Sequence, residues 1–580
     1  MCRAGRSGGG VESEQVWGLF SRLLGLVFLI SFASVTSQIR GLIGRRGIEP
    51  VFLLLQAVRR DLGVVRGAFR FPTLMWLSSS DAMLLGLAVA GMFASVGIIC
   101  GLAQAYTWVL FLVVWACWLS IQNANTNLFW YPWDNLKTEC ALFGALLPGL
   151  APLPQIDALE APRMMVVFFF AWLLFRVMFG MGIAKFRGLD ERTRKWTYIY
   201  HFLEWQPFPT AMAQYLRELP MACHKALLAG VWVVEIVIPF FVFGTSSMRL
   251  VACVLFVMFQ IGIFVCGNYG VFNLLTAALA CSLLATFEWT GWGAVSVLDG
   301  LLLGHVAISI IYLLCMTSWT STVWLYMPSK ISPSPRVRRA MAPVLGLLRL
   351  FAPFRIWNAY GVFIQRGNVP HQVAVLQSST DGVDWVDLEP KWFSCDVKRR
   401  PPHFAPHQPR LDHHLFYQGF RPPDLKLACL MGTNPYYVDP HGFTEKLIQK
   451  LLHGDANAWG LLGYEVPAVL PRFIRHTAWH YHMLNRSERI EENAWWRRDR
   501  IGVGEAIQAE ALEETAGIRG TYDPFVFDRF VMVDNEVLAF IDAETGAYIP
   551  LNKHAVVTPS ARVVPKSRSV VGAITTGVES

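Results

Sequence analysis

Residues Arg399 to Tyr417 read RRPPHFAPHQPRLDHHLFY, a polar stretch on which the rest of the chain is organised. Pro401, Pro402, Pro406 and Pro409 each fix φ and remove a backbone donor. They also push the preceding residue to extended geometry, so the stretch is expected to run as a polyproline-like cable rather than a helix. Past the last proline, Arg410 and Asp412 would share one side of a strand-like chain and pair with each other or with a partner. His403, His407, His413 and His414, with Asp412, would suit zinc by ligand type. A proline-stiffened chain does not bring close neighbours round one ion, so the histidines are read as a solvated turn and no metal or other cofactor is expected.

Outward from this stretch the chain divides in two. Apolar residues make up 54% of the 580 and charged residues only 16%, more apolar than an ordinary soluble protein of this length needs. Most of the charge lies after Met327, which makes the first part a polytopic membrane region. The net charge of +8 is diluted over the whole length, and no basic and aromatic pattern accompanies it, so nucleic acid is not a partner. Of eleven cysteines, most sit in apolar segments and act as small hydrophobes. Cys395 and Cys429 lie in the polar part and could form one disulfide in an oxidising compartment, though spacing alone does not establish it. No C-x-x-C redox motif occurs.

By the criterion of roughly twenty apolar residues, spans are expected at Trp17–Val35 and near 82–101, 104–121, 137–154, 163–185, 225–244, 249–267, 270–287 and 298–317, about nine in all. The first reads as an uncleaved signal anchor after a tail at 1–16, and the segment near 137–154, broken by Pro148, is the weakest. The multi-pass domain runs over 17–320, with soluble insertions at 38–81 and 186–224. A connector with an interfacial helix follows at 321–357. The region 358–502 reads as a soluble, β-rich α+β domain. Within it Gln372–Gln377 and Val383–Leu388 flank Asp381-Gly382, a hairpin signal, and Phe443, Leu447, Ile448, Leu451 and Leu452 recur at helical spacing. Residues 503–580 have no functional reading. Strand-like pieces stand around Val531 and Val537, and the end is small, polar and expected to be disordered.

Glu139, Arg176, Lys185 and Glu235 interrupt apolar spans, where a charge costs several kcal/mol unless paired. Arg176 and Lys185 are half a turn out of phase at 100° per residue. Arg176 with Glu235 is the preferred pair, because both lie near the middle of their spans. A bridge fixing bundle register is favoured over a proton relay or substrate contact.

Several runs together resemble the lipase maturation factor family of multi-pass endoplasmic reticulum membrane proteins. Pro406-His407-Gln408-Pro409-Arg410-Leu411-Asp412 is nearly identical to a run of that family, which usually has Trp where His413 stands here. Asn358, Tyr360, Gly361 and Phe363 resemble its N-x-Y-G-x-F element. Ser378 to Gly382 with Trp385 resembles its G-S-x-D-G-x-x-W hairpin, and Gln38–Pro50 its L-I-G loop. Further likenesses are Trp133–Glu139, the segments bearing Arg176, Lys185 and Glu235, and His201–Pro209, which has one residue more than the family pattern. Trp479–His482 and Trp495–Arg498 are similar to its closing elements.

The resemblance implies a chaperone or maturation factor in the endoplasmic reticulum membrane, with the C-terminal domain in the lumen. Its partners there would be membrane lipid and secreted, lipase-like clients, in the family homodimeric lipases. Trp392, Phe404, Phe416 and Tyr417 could offer a client surface or could be core. Asn485-Arg486-Ser487 is a glycosylation sequon. A second reading is a membrane enzyme distantly related to the vitamin K-dependent carboxylase type, with Lys185 or His201 as base. A third is a transporter using the buried charges, for which no inverted repeat is detectable.

Overall fold

A long apolar helix, α1 (Ser13–Thr36), packs into the bundle with Phe20, Leu24, Phe28 and Phe32 fully buried along one i, i+4 row. The protein is described here from a computed structural model. It describes residues 13–125, 128–129, 131–187, 195–287, 289, 296–317, 343, 347, 350–358, 360, 371–393, 395–418, 440–504, 506–509, 530–533, 536–541, 548–550 and 562–564. After the short α2 (Ile39–Ile43) and the amphipathic α3 (Val51–Arg70), α4 (Asp81–Cys100) lies close against α1. A Cβ on Gly91 would meet the Phe32 ring at 2.3 Å, and one on Gly25 would meet the Ser95 carbonyl oxygen at 3.1 Å. The contact therefore depends on small residues.

Then come α5 (Thr107–Ala124), α6 (Pro132–Gly144) and α7 (Met164–Arg187). Next are α8 (Tyr198–Trp205), α9 (Ala211–Arg217), α10 (Met221–Trp232), α11 (Ser246–Cys266), α12 (Phe272–Cys281) and α13 (Val297–Thr317). The helix begun by α10 continues through a π turn at Val233–Val237 and a 3-10 turn at Ile238–Phe243. Pro239 has no N–H to return to the Glu235 carbonyl, so the regular i to i−4 ladder cannot continue there.

Among the described residues six helices are long and apolar enough to cross a membrane: Ser13–Thr36, Asp81–Cys100, Gln104–Ala124, Met164–Ile183, Met221–Phe243 and Ser246–Cys266. About nine spans were expected. The segment near 137–154 accounts for one difference. Helix α6 has 13 residues, about 20 Å, short of a hydrocarbon core of about 30 Å. Its residues are almost all buried inside the protein.

The C-terminal domain is an antiparallel sheet of β1 (His371–Ser379), β2 (Val386–Leu388), β3 (Phe473–Met483), β4 (Trp496–Val503) and β5 (Ile507–Gln508). The strand order is β2-β1-β3-β4, with β5 also on β3. The expected hairpin is present. Gly382 takes φ +82 and Asp381 Oδ1 accepts from the Val383 and Asp384 amides at 2.8 and 2.9 Å. Helices α14 (Arg410–Gln418), α15 (Pro440–Leu452), α16 (Ala456–Leu462) and α17 (Arg486–Glu492) complete it. On α15, Phe443, Leu447, Ile448, Leu451 and Leu452 are the buried stripe read from the sequence. A separate antiparallel sheet contains β6 (Phe530–Val533), β7 (Glu536–Ile541), β8 (Tyr548–Pro550) and β9 (Arg562–Val564), in the order β8-β7-β6-β9.

One reading of the proline-rich stretch is corrected. Its first part is irregular and turns at Ala405-Pro406, where the His407 amide donates to the Phe404 carbonyl at 2.9 Å, so it is not a continuous polyproline-like cable. Arg410 onward is helical, because no proline stands between Pro409 and Pro422 to interrupt the backbone ladder. Arg410 and Asp412 therefore diverge instead of sharing one side. A single buried apolar cluster runs from Val16 of α1 to Trp496 of β4, so bundle and C-terminal domain share one core.

Candidate functional site

The proline-rich stretch lies at that shared core, where side chains of the bundle supply the pairing that prolines cannot. Asn268 acts as a two-sided clamp. Its Oδ1 accepts from the Phe404 and Ala405 amides at 2.7 and 2.9 Å, and its Nδ2 donates to the Pro402 and Phe208 carbonyls at 3.0 and 3.2 Å. Near the end of α1, Ser34 Oγ accepts from the Gln408 amide at 3.0 Å and lies 3.0 Å from His407 Nδ1. Gln38 donates to the Gln408 carbonyl at 2.8 Å and accepts from the Arg410 amide at 2.8 Å. These buried peptide groups thus find polar partners, as burial demands.

Arg410 then enters the bundle. Its guanidinium makes a bidentate pair with Asp134 of α6, at 2.5 and 2.8 Å, and donates to the Leu128 carbonyl at 3.1 Å. Lys137, one turn on from Asp134, also reaches that carboxylate at 3.0 Å and lies over the Trp118 ring at 3.4 Å. All three side chains are almost fully buried. Asp412 faces the other way and accepts from the Trp392 and Phe393 amides at 2.7 and 3.1 Å.

A second cluster joins the connector to α6 and α7. Glu139 pairs with Arg176 and accepts from Asn358 Nδ2 at 3.0 Å and the Tyr360 hydroxyl at 2.6 Å. Arg176 donates in turn to the Asn358 carbonyl at 3.3 Å. His305 Nε2 is 3.1 Å from the Ile356 carbonyl oxygen, and its ring stacks on Trp357. Glycine at 180 is needed here, since a Cβ would come within 2.1 Å of the Tyr360 carbonyl oxygen.

The third group is the pair of Lys185 with Glu235, whose two oxygens lie 2.5 and 2.7 Å from Nζ. The expected pairing of Arg176 with Glu235 is therefore corrected. Position along a span did not decide it. Glu139, on a helix too short to cross, is delivered to Arg176, and the π turn delivers Glu235 to Lys185.

The histidines do not form one solvated turn: His403 is exposed, but His407 is half-buried and His413 and His414 are buried. His403 Nε2 lies 2.9 Å from the Phe264 carbonyl oxygen, and His407 packs on Trp392. His413 receives Gln408 Nε2 at 2.7 Å and lies against Tyr131, and His414 packs on Phe443. Each serves a different partner. Phe404 and Phe416 are core and Trp392 is half-buried, while the Tyr417 side chain lies outside the described residues. So do Gly361, Phe363 and Cys429. Cys395 is fully buried. Glu204 pairs with Arg217 at 2.9 Å and accepts from the Met483 amide at 3.0 Å, another tie between bundle and sheet. Asn485 is exposed and caps α17, with its Oδ1 accepting from the Glu488 amide at 3.0 Å and the Ser487 hydroxyl at 2.6 Å.

Asp134, Lys137 and Asn268 were not singled out from the sequence. A carboxylate and an amine at i, i+3 within a run as apolar as Pro132–Gly144 was the available signal.

The site carries a pH dependence of definite sign. Burial, helped by Arg410 and Lys391, pushes His407 down to about 4. Burial pushes His414 to about 3 and His413 well below the usual value. An unfolded histidine titrates near about 6.5, so below that pH the unfolded chain binds more protons and stability falls. Asp412 opposes this. Burial raises it to about 6, so the folded state takes up that proton first and stability rises as pH falls through 6. Three histidines against one carboxyl leave a net loss, and thermal unfolding of the purified protein should show a lower midpoint at pH 5 than at pH 7. His414→Phe should flatten the profile. An unchanged midpoint across that range would contradict the assignment.

Gly270 has φ +57, and a Cβ there would meet Gln408 Oε1 at 2.4 Å. Gln408 is tethered through His413 and cannot swing away freely. Gly270→Ala is expected to cost about 2 kcal/mol, from the left-handed backbone and the contact together, measurable as a reduced midpoint in the same assay.

Residues 16–290 match the lipase maturation factor transmembrane domain and residues 356–505 the lipase maturation factor C-terminal domain. Lipase maturation factor 1 of Bos taurus is 28% identical over 519 residues, covering 83% of this chain and 86% of the relative. Lipase maturation factor 1 of Homo sapiens is 27% identical, covering 83% and 86%. Lipase maturation factor 2 of Homo sapiens is 24% identical, covering 83% and 80%. No solved structure matches the chain.

Proposed function

The chain belongs to the lipase maturation factor family, and from that premise we propose that it assists the folding and assembly of secreted lipases as a membrane chaperone of the endoplasmic reticulum. The observation that carries the reading is the fate of the residues shared with the family. Arg410 is spent on Asp134, and Asn358 and Tyr360 on Glu139. Side chains so buried fix one domain on the other. Their work is to hold a rigid platform, and the client meets the outside of the C-terminal domain.

The test is secretion of an active homodimeric lipase from cells that lack the endogenous factor, with and without this chain. Active secreted lipase should rise while lipase synthesis stays constant, and Arg410→Met should remove the gain. A rise in synthesis, or a full gain with Arg410→Met, would refute the reading. The C-terminal domain is assigned to the lumen in this proposal. Endoglycosidase sensitivity that Asn485→Gln removes would support that side, and cleavage of the domain from outside sealed microsomes would overturn it.

A membrane enzyme is the second reading, favoured by one observation: the Lys185–Glu235 pair lines a cavity. If Lys185→Ala or His201→Ala abolishes lipase maturation in a normally folded protein, this second reading replaces the first.

A further inference from the structure

The cavity beside Lys185 measures about 940 Å³ and lies between α7, α8, α10 and α11. Its wall is apolar almost throughout, with Met181, Phe202, Leu227 and Met258 among the lining side chains. Polar groups are few. Lys185 and Glu235 bind each other, and Gln206 accepts from the Tyr269 hydroxyl at 2.6 Å. The π turn holds Glu235 against α7 at Gly182, where a Cβ would stand 2.8 Å from that of Glu235.

We propose that this cavity binds one molecule of an uncharged, hydroxyl-bearing lipid, its chain along the apolar wall and its head on the Lys185–Glu235 pair. Three arguments lead there. The volume reaches the upper end of the range of about 300–1,000 Å³ in which proteins enclose small molecules, and the wall offers a long ligand mainly dispersion and apolar burial. The cavity is walled by helices of the apolar bundle, including the spans Met164–Ile183, Met221–Phe243 and Ser246–Cys266, where lipid is the abundant solute. Among the described residues lining the cavity, the charged groups are Lys185 and Glu235. One ammonium and one carboxylate cancel, so a charged head would add an uncompensated charge in a low-dielectric setting. A hydroxyl adds none. A carboxylate accepts about four hydrogen bonds, and Lys185 accounts for two at Glu235, which leaves acceptor capacity suited to a lipid hydroxyl.

The inference is independent of the maturation reading, because its test does not use client secretion. The full-length protein in detergent is titrated with dioleoylglycerol, with oleate and with dioleoylphosphatidylglycerol, and bound lipid is read by native mass spectrometry. Dioleoylglycerol should bind one per chain and at least about tenfold more tightly than either anion. Gly230 lines the cavity and a Cβ there meets nothing within 4 Å, so Gly230→Trp should fill the space and weaken binding about tenfold or more. Gly262→Phe attacks the opposite wall from an equally open position and serves if the first variant fails to fold. Gly300→Trp, open but outside the lining, should bind as the native protein does. Lys185→Met with Glu235→Leu should keep the chain contacts and lose the preference for the neutral head. Equal binding of all three lipids, or native binding by a folded cavity-filling variant, would overturn the proposal.

Discussion

Asp134→Leu should prevent accumulation of folded protein. Asp134 is completely buried and is shared by two buried cations, the Arg410 guanidinium and the Lys137 ammonium. Removing one partner of a buried pair typically costs about 3–5 kcal/mol, and here two charges lose their partner at once. A domain has only about 5–15 kcal/mol of net stability to lose. The substitution also releases Arg410, which joins the proline-rich stretch to the bundle, so loss of the shared core should follow. Monodisperse protein after size exclusion in detergent is the readout. Replacing all three groups with apolar side chains, Asp134→Leu, Lys137→Met and Arg410→Met together, leaves no stranded charge and should recover much of the yield. Near-native yield from the single variant would exclude the cluster as a structural tie.

Glu139→Leu should rank next. It strands Arg176 and removes the acceptor used by both Asn358 and the Tyr360 hydroxyl, again a loss of about 3–5 kcal/mol. The pairing makes a sharper test possible. Arg176→Met should rescue Glu139→Leu but should not rescue Glu235→Leu, whose partner is Lys185. Lys185→Met should do so. If Arg176→Met rescued Glu235→Leu instead, the observed pairing would be wrong and the pairing by span position would be restored.

The amino-acid sequence by itself determined the class of the molecule. Long apolar runs have only one stable use, and a hairpin or an amphipathic helix is written in neighbours a few residues apart. Hence α1, α4 and α11, the turn at Asp381-Gly382 and the buried stripe of α15 were legible, as was the family. It also marked Glu139, Arg176, Lys185 and Glu235 as residues of consequence, because a charge in an apolar run must find a partner, while Arg410, Asn358 and Tyr360 were marked by the family resemblance.

Which partner it finds was decided only by tertiary structure. Arg410 and Asp134 are 276 positions apart, and Tyr360 and Glu139 are 221 apart. No local periodicity constrains such distances. Helix α6 looked like part of a weak span and is a short buried platform carrying Asp134, Lys137 and Glu139 together. The histidines of 403–414 looked solvated because polar residues beside prolines usually are. His413 and His414 are buried and His407 is half-buried, while His403 stays exposed. Asn268, Ser34 and Gln38 satisfy the backbone around them, and that lets this part of the stretch leave water. Local physics specifies which groups need a counterpart, whereas the counterpart is chosen by how helices that are distant in sequence pack into one core.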